Sequence, residues 1–499
     1  MRQPAPEVKK IKYRELDREQ ISWREFDVDR LIPADHAART IWELAGRLDL
    51  TKFEAEVKSQ EEGSGRPCWP ARLLVSVWVY GYSLGIGSAR AMERLMEYEP
   101  GMRWLCATEV VNHHTLSDFR IEHKAALEDL FAQFLMLLEG EGLLDFSTLL
   151  QDGTKMRAVA GKESYRRRET IEQKLERARQ AVRELERQAE REPEGQEKRL
   201  EAAQRRAARE RVERLEASLE EVQQVQARTA AKEREQVRVS ISEPEAGKMK
   251  HNDGGWAMSY NVQVSTEARS RVIVDMGVSR AKNDTNELLP ALERVKRNCG
   301  TMPARVVADT GYATRDNVEQ TAQRQVELIA PWKDEAAQAA GGCAVQGVAQ
   351  EFSPAYFTCS EDGHSLRCPM DKQLRYSKDV VRHGLKRQLF EAEAADCASC
   401  PAQPRCCGKK GGARRVLKVR ESEAMQQYQA RMGQPPTQAL YKRRKEIAEF
   451  PHLWIKGILG LRRFSVRGLL KVGMEAIWMG LAYNVQQWIR LRAPQPKAA

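Results

Sequence analysis

The chain lacks a run of about 18 consecutive apolar residues, the length that a bilayer-spanning helix needs, so we expect no membrane segment. The N-terminal stretch Met1–Lys10 has basic residues but lacks the apolar core of a secretory signal, which predicts a cytoplasmic protein. Ten cysteines in a cytoplasmic chain of 499 residues do not indicate a disulfide-stabilised scaffold. The length is sufficient for about two to four domains.

Basic residues outnumber acidic ones. The chain has 82 Lys and Arg residues against 71 Asp and Glu residues, for a formal net charge of +11. Clustered cations gain affinity for nucleic acid by displacing the counterions condensed on its phosphates, so a polyanionic partner explains the excess. A basic protein without such a partner has the same composition, and charge alone does not separate the two.

The N-terminal part has a helical pattern. We interpret residues 1–25 as a flexible polar arm and residues 26–140 as an all-α domain. Pro33 suits the first turn of a helix that opens near Leu31. The apolar stretch Pro70–Leu84 predicts a buried helix.

A short polar stretch in this domain is typical of a recognition helix. Asn112–Arg120 begins with polar residues that suit a helix start and leads into Phe119 and Arg120. In a helical DNA-binding module such a helix follows a turn and contacts DNA, here through Arg120. A purely structural helical domain has the same local pattern.

Beyond residue 140 the hydrophobic period changes to that of strands. Five strands are predicted, over Thr148–Gln151, Met258–Thr266, Arg271–Val278, Ala304–Ala308 and Val326–Ala330. Helices are predicted from a capping box at Asp284–Glu287 through Val295, over Asp316–Arg324, and up to Glu449. This order is that of an RNase H-like fold, an α/β arrangement in which helices cover a mixed sheet. We assign its first part to residues 141–332 and its final helix, with a helical tail, to residues 431–499.

An insertion at residues 163–230 has the pattern of a coiled coil. Apolar residues alternate spacings of four and three over Ile171–Ala189 and again over Val212–Val222. Glu192–Gly195 breaks the helix between them. The pattern predicts an antiparallel helical hairpin coiled on itself, whose charged face is solvated or contacts DNA or a second subunit.

A second insertion, at residues 333–430, is rich in cysteine. Its cysteines are Cys343, Cys359, Cys368, Cys397, Cys400, Cys406 and Cys407. Cys397 and Cys400, followed by Cys406, have the spacing of a structural zinc site, and Cys368 supplies a fourth thiolate. A second regular pair of cysteines is lacking, so buried reduced thiols are the alternative.

Three carboxylates carry the chemistry that the sequence suggests. Asp152 and Asp309 follow predicted strands that are neighbours in the fold, so their side chains can share a metal ion. Glu449, on the final helix, would complete the site. Two divalent ions held by carboxylates activate a nucleophile and stabilise the leaving oxygen in phosphoryl transfer, and Mg²⁺ prefers such oxygen ligands. Each residue taken alone has a simpler reading: Asp152 and Asp309 as turn residues, Glu449 as one of many helix glutamates.

Two neighbours of Glu449 bear on this site. Pro451 is expected to stop or kink the final helix just past Glu449, because proline lacks the backbone donor that a helix needs. Lys456 lies two turns further on, where its ammonium group can reach a phosphate.

These motifs resemble those of bacterial insertion-sequence transposases of the DDE superfamily, whose catalytic domain is RNase H-like. The similar stretches are Leu31–Pro33, Gly65–Pro67, Tyr80–Tyr82, His114–Arg120, Asp152–Lys155, Asp253–Gly255, Tyr260–Gln263, Ala308–Tyr312, Arg444–Glu449, Ile455–Lys456, Arg463–Phe464 and Arg467–Gly468. These stretches are distributed over nearly the whole length of the chain.

The resemblance implies that Asp152, Asp309 and Glu449 form the catalytic triad that binds Mg²⁺ or Mn²⁺. The interval from Glu449 to Lys456 fits the family pattern and favours Glu449 over Glu446. Tyr441 and Arg444 each lie one place earlier than in related transposases. The helical hairpin is not a general family feature, and the resemblance does not assign a purpose to the cysteines.

Our interpretation of the sequence is a transposase that binds the inverted repeats of its own element, cleaves DNA and joins the freed 3′-hydroxyl to a target. Its partners are double-stranded DNA and a second copy of the chain, because two element ends must be held at once. The residues expected to contact DNA are Arg120, Lys155, Arg444 and Lys456. The alternatives are an inactive DNA-binding relic of such an enzyme and a coiled-coil interaction protein whose basic charge is incidental.

Overall fold

The computed structural model describes residues 27–55, 67–189, 196–251, 253–332, 347–360, 363–382, 385–408, 411–419 and 421–492. The predicted arm at residues 1–25 lies outside this part, as do Gly65, Arg66, Cys343 and the predicted helix break at Glu192–Gly195. None of the helices that the structure describes is long and apolar enough to span a membrane.

Seven helices, α1 to α7, precede the first strand in the described residues. They are α1 (Ala37–Ala45), α2 (Thr51–Glu54), α3 (Ala71–Ser83), α4 (Ala89–Tyr98), α5 (Pro100–Leu105), α6 (His113–Glu122) and α7 (Lys124–Gly140). The predicted helix over Pro70–Leu84 is α3, and nearly all of its residues are buried. The helix predicted to open near Leu31 begins later, at Ala37, because His36 caps it and Pro33 lies before it.

A mixed six-stranded sheet forms the centre of the molecule. Its strands are β1 (Thr148–Arg157), β4 (Gly247–Lys250), β5 (Trp256–Glu267), β6 (Ile273–Ser279), β7 (Arg305–Val307) and β8 (Glu327–Ile329). The order is β4-β5-β1-β7-β8. The remaining strand, β6, also pairs with β5. β5 is antiparallel to β1 and β6, whereas β1, β7 and β8 run parallel.

The five predicted strands all occur, and the predicted neighbours β1 and β7 are paired. Two boundaries were wrong. β1 continues past Asp152 to Arg157, because β5 pairs with it along this whole length. The helix predicted from Asp284 is α10 (Leu288–Cys299) and begins at Leu288, because the side chain of Asp284 bonds to β5 instead of capping it.

Two long helices leave the sheet after β1. They are α8 (Arg168–Ala189) and α9 (Gln196–Arg228), and the short strands β2 (Tyr165–Arg167) and β3 (Arg238–Ser240) pair at their base. Ion pairs join Arg179 to Glu216 and Glu186 to Arg209, so the helices run in opposite directions. Their apolar residues form a cluster separate from the main core.

The cysteine-rich region forms a second sheet. Its strands are β9 (Thr358–Cys359), β10 (Ser365–Arg367), β11 (Gln373–Arg382), β12 (Leu385–Ala392) and β13 (Arg415–Val419), in the order β13-β12-β11-β10-β9. Two short helices, α12 (Ala394–Ala398) and α13 (Gln403–Cys406), lie between β12 and β13. This region has its own small core.

The C-terminal helices return to the central sheet. They are α14 (Glu423–Met432), α15 (Pro435–Lys442), α16 (Arg444–Leu453) and α17 (Leu469–Arg492), while α11 (Arg315–Gln323) lies between β7 and β8. α17 is largely buried, and the amide of Asn484 bonds to both the N–H and the carbonyl of Ile273 on β6, at 2.8 and 2.7 Å. This contact fixes α17 against the edge of the sheet.

Arg120 connects the N-terminal helices to α17. Its guanidinium donates to the carbonyl of Gly87 at 2.6 Å and the hydroxyl of Ser465 at 2.8 Å, and it lies 3.7 Å from the carboxylate of Glu475. Only 4% of Arg120 is exposed. The predicted DNA contact at Arg120 does not fit this position, because the guanidinium is buried among internal partners.

We expect Glu475→Ala to lower the free energy of unfolding by about 3–5 kcal/mol, because Arg120 would keep its charge in the core without a counter-ion. The matched control is Asp27→Ala, which removes an exposed ion pair with Arg30 and is expected to cost about 0.2–1 kcal/mol. Urea unfolding of both variants measures the difference. Equal losses would contradict a structural role for the buried pair.

The helical hairpin is expected to be dispensable for folding. Arg167 and Arg238 are paired partners in β2 and β3, so an Asn-Gly turn can join them in place of residues 168–237. The separate apolar cluster of the hairpin predicts a melting midpoint within about 4 °C of the full chain, roughly 1 kcal/mol. Thermal melting by circular dichroism checks this, and loss of a cooperative transition would show that the hairpin supports the core.

Candidate active site

Asp152 on β1 and Asp309, which lies in extended backbone two residues past the end of β7, occupy corresponding positions relative to the paired residues of these strands. Leu150 of β1 pairs in parallel with Val307 of β7, and each aspartate follows its strand's paired residue by two positions. Since side chains alternate faces along a strand, the two carboxylates project from the same side of the sheet. The predicted meeting of these two side chains is therefore supported by the register.

The surroundings of Asp309 favour its protonated form. Burial raises the pKa of this carboxyl group, and the nearby charge of Asp152 raises it further. The N–H of Gly311 donates to its Oδ1 at 2.7 Å and opposes the shift, as does the charge of Arg444. A bound cation would favour the ionised form of both aspartates.

Helix α16 crosses the sheet beside these aspartates. Ile447 and Ala448 are buried against the strand residues Leu150, Val307 and Ile329. On either side of this contact, two cationic or protonatable groups face Asp152. Arg444 Nη1 lies 3.6 Å from one of its carboxylate oxygens, and His452 Nε2 lies 3.5 Å from the other.

Glu449 lies between these two contacts along α16. With a rise of about 1.5 Å per residue, it is about 8 Å along the helix axis from Arg444 and about 4.5 Å from His452. Its side chain is exposed, unlike those of Ile447 and Ala448. Glu446, the alternative to Glu449, is paired with Arg271 at 2.6 Å. The helix that bears Glu449 thus lies beside Asp152, and the Glu449 side chain is exposed on it.

Pro451 does not stop this helix. α16 continues to Leu453 and passes directly into a π-helical turn over Trp454–Ile458. Pro451 is buried. Of the predicted stop or kink at Pro451, the stop does not occur, because the chain continues to turn after losing one backbone donor.

Lys456 is bound to β1. Its Nζ donates to the carbonyl of Lys155 at 2.7 Å and to the hydroxyl of Thr154. Burial lowers the pKa of Lys456 to about 8, and the charge of Asp152 opposes the shift. Lys456 therefore fixes the strand next to Asp152 in this structure, while Lys155 is half-buried on the same strand.

Asp284 is a third aspartate at this site, and the sequence interpretation missed it. Its Oδ1 accepts from the side-chain amides of Asn261 at 2.7 Å and Gln263 at 2.6 Å. Its charge contributes to the raised pKa of Asp309, after burial and the charge of Asp152. The capping-box pattern at Asp284–Glu287 favoured a local role, whereas the long-range contact with β5 determines its position.

A buried polar network supports the site from β1 and β5. The carbonyl oxygen of Gln263 accepts from Tyr312 OH at 2.6 Å and from the Gln151 amide at 2.8 Å. The Gln151 carbonyl in turn accepts from Ser265 at 2.6 Å. Burial raises the pKa of Tyr312 so that it remains a neutral donor. These bonds fix the strand segments that carry Asp152 and hold Asp284.

The metal-binding capacity of the site is incomplete as it stands. Among the residues that the structure describes, no group of three or more His, Cys, Asp or Glu side chains is arranged so that it could hold a metal ion. Asp152 and Asp309 nevertheless fit a hard divalent cation in donor type and in charge. A third carboxylate has to approach this pair to complete a site.

Comparison with known protein families matches two parts of the chain. Residues 26–122 match a family described as Transposase domain (DUF772), and residues 367–489 match one described as Transposase DDE domain. Two separate parts of the chain are thus similar to transposase families, and the C-terminal part is similar to a DDE domain. The second match includes α16 with Glu449 but neither Asp152 nor Asp309. No curated protein matches the chain.

We expect Gly153→Ala to impair catalysis at the candidate site about 100-fold, because a misplacement of roughly 1 Å has effects of this order. A Cβ at Gly153 would lie 2.2 Å from Asp284 Oδ1 and 2.7 Å from the Gln263 amide, which are already bonded to each other. The control is Gly473→Ala in α17, where a Cβ meets nothing within 4 Å. Cleavage of labelled element ends is measured for both, and unchanged cleavage by Gly153→Ala would show that Asp284 can move freely.

Proposed function

We propose that this chain is a DDE transposase that binds the terminal inverted repeats of its insertion sequence and catalyses metal-dependent DNA cleavage and strand transfer. The observation that carries the proposal is the pairing of β1 with β7, which brings Asp152 and Asp309 together beside the helix that bears Glu449. The coupling between the charges of the two aspartates supports the same conclusion.

The sheet supports an RNase H-like catalytic domain. A three-stranded antiparallel part, β6-β5-β1, is extended by the parallel strands β7 and β8. The sequence predicted that the first and fourth strands are neighbours, and β1 and β7 are paired. In such a sheet, the first and fourth strands of the fold adjoin, and acidic residues from both reach one face.

Asp152, Asp309 and Glu449 are the residues that would hold Mg²⁺ or Mn²⁺. Bound there, divalent ions supply an activated water or hydroxyl nucleophile and stabilise the leaving oxygen of a phosphodiester. The exposed carboxylate of Glu449 has to turn toward the aspartate pair. DNA bound across the site would favour this movement, because its phosphate oxygens are further ligands for the same ions.

Arg444 and His452 accompany Asp152 in this structure. Both Arg444 Nη1 and His452 Nε2 are buried without a hydrogen-bond partner, at distances above 3.4 Å from the Asp152 oxygens. Their contacts are thus electrostatic and loose. We infer that Arg444 would no longer be needed as the counter-charge of Asp152 if a divalent ion were bound there, and that its guanidinium would then be free to contact a DNA phosphate.

DNA binding is proposed to use basic residues around this site. Lys155 lies on β1, Arg444 lies on α16, and Lys456 lies in the π-helical turn that follows α16. Arg444 is close to Asp152, and Lys456 bonds to the backbone of Lys155. Phosphate contacts of Lys and Arg release counterions, so binding is expected to weaken steeply with salt. A homodimer or larger assembly is proposed because two element ends must be held together for strand transfer.

We expect Asp152→Asn and Asp309→Asn to abolish cleavage of labelled element ends in Mg²⁺ while leaving end binding close to that of the unaltered chain. Both changes keep side-chain shape and remove the charge that a cation needs. Binding is measured over a series of salt concentrations. An unchanged salt slope with lost cleavage supports catalysis, whereas lost binding would show a structural role.

If the unaltered chain binds element ends but never cuts them in Mg²⁺ or Mn²⁺, the inactive-relic alternative holds. If binding has no steep salt dependence, the DNA-binding proposal fails and an interaction protein is favoured.

Glu449→Gln is expected to abolish cleavage in the same way as the aspartate variants. Glu446→Gln is the matched control on the same helix, because its partner Arg271 forms an exposed pair with it worth about 0–1 kcal/mol. Cleavage and melting temperature are measured for both. Full activity of Glu449→Gln, or loss in Glu446→Gln alone, would assign the third carboxylate to Glu446.

A further inference from the structure

The cysteine-rich region has few means of stabilising itself. Its core consists of eleven buried residues and is not joined to the main apolar cluster. Three of its five strands have at most five residues. Regions this small are commonly stabilised by disulfides or by a structural metal ion. Its described cysteines are all free thiols.

Five of these thiols surround one cavity. The cavity has a volume of about 20 Å³ and is lined by Cys368, Cys397, Cys400, Cys406 and Cys407. Cys397 and Cys406 are buried, and the other three are half-buried. Cysteines from three separate segments, the turn after β10, helix α12 and helix α13, therefore converge on one point.

Backbone N–H groups are directed at two of the sulfurs. The N–H of Lys372 donates to Cys368 Sγ at 3.2 Å, within a turn closed by a bond from Cys368 N–H to the Lys372 carbonyl. The N–H of Arg414 donates to Cys397 Sγ at 3.4 Å. These two bonds fix Cys368 and Cys397 beside the cavity, and an amide N–H is also a suitable donor to a metal-bound thiolate.

A cationic side chain lies beside the cavity. Arg414 lines the cavity, and its Nε is buried without a hydrogen-bond partner. Clustered thiolates would repel one another without a cation between them, and a cluster with net negative charge would give Arg414 a counter-ion.

We propose that Cys368, Cys397, Cys400 and Cys406 bind a structural Zn²⁺ ion. Zinc takes four thiolates in a tetrahedron at about 2.3 Å, with a two-residue spacing such as that of Cys397 and Cys400. Each thiol releases its proton to solvent on binding. The sulfurs are not yet arranged around a metal ion in the structure, so binding draws them into the cavity.

Cys406 is preferred to Cys407 as the fourth ligand. Cys406 is buried in the core of the region and lines the cavity, whereas Cys407 is only half-buried. Zinc at this place stabilises the region between β9 and β13 and has no part in the carboxylate site, so the proposal stands apart from the proposed function.

The test is the zinc content of the full-length chain, purified under reducing conditions with zinc in the growth medium. We expect about one zinc ion per chain, as for a single four-thiolate site. Titration of the thiols of the unaltered protein with a mercurial should release that zinc, detected by a chromogenic chelator. This second measurement does not depend on the folding of any variant.

Cys397→Ser and Cys406→Ser are expected to lose the zinc, while Cys359→Ser, an exposed position outside the cavity, keeps it. Cys407→Ser is also expected to keep it, and loss there with retention in Cys406→Ser would overturn the choice of fourth ligand. Reduced protein without zinc would overturn the proposal. So would a disulfide among the cavity cysteines, found by mass spectrometry of the protein purified without reductant.

Discussion

The parallel pairing of β1 with β7 is the constraint on which the candidate active site depends. Leu150 and Val307 are registered partners, and this register alone brings Asp152 and Asp309 from distant parts of the chain to one face of the sheet. A shift by one residue would turn one of the aspartates to the opposite face. The apolar contact of Ile447 and Ala448 with the same strand residues then places α16 over the pair.

The rest of the molecule holds this arrangement rigid. The buried pair of Arg120 with Glu475 joins the N-terminal helices to α17, and Asn484 bonds α17 to β6. Lys456 returns from the end of α16 to bond the backbone of β1. Residues far from the carboxylates in sequence thus determine how closely α16 approaches the sheet.

Local patterns predicted the strands well because each has a short alternating or apolar run with turn residues on both sides. Asp152 and Asp309 could be proposed as metal-binding residues because they follow such runs. Arg120 was misassigned because its burial depends on Glu475, whose position no local pattern reveals. Asp284 was missed for the same reason, since its contacts with Asn261 and Gln263 are tertiary. The position of Glu449 relative to the aspartates stays a prediction of the sequence, with its helix now placed beside them.

The central claim is that three carboxylates gather around divalent ions when DNA is bound. The most direct measurement is a crystal structure of the full chain with element-end DNA and Mn²⁺, with the metal located by its anomalous scattering. We expect a peak in contact with both Asp152 and Asp309, and Glu449 turned inward to the same ions. Manganese bound elsewhere, or Glu449 still directed to solvent in the DNA complex, would contradict the account.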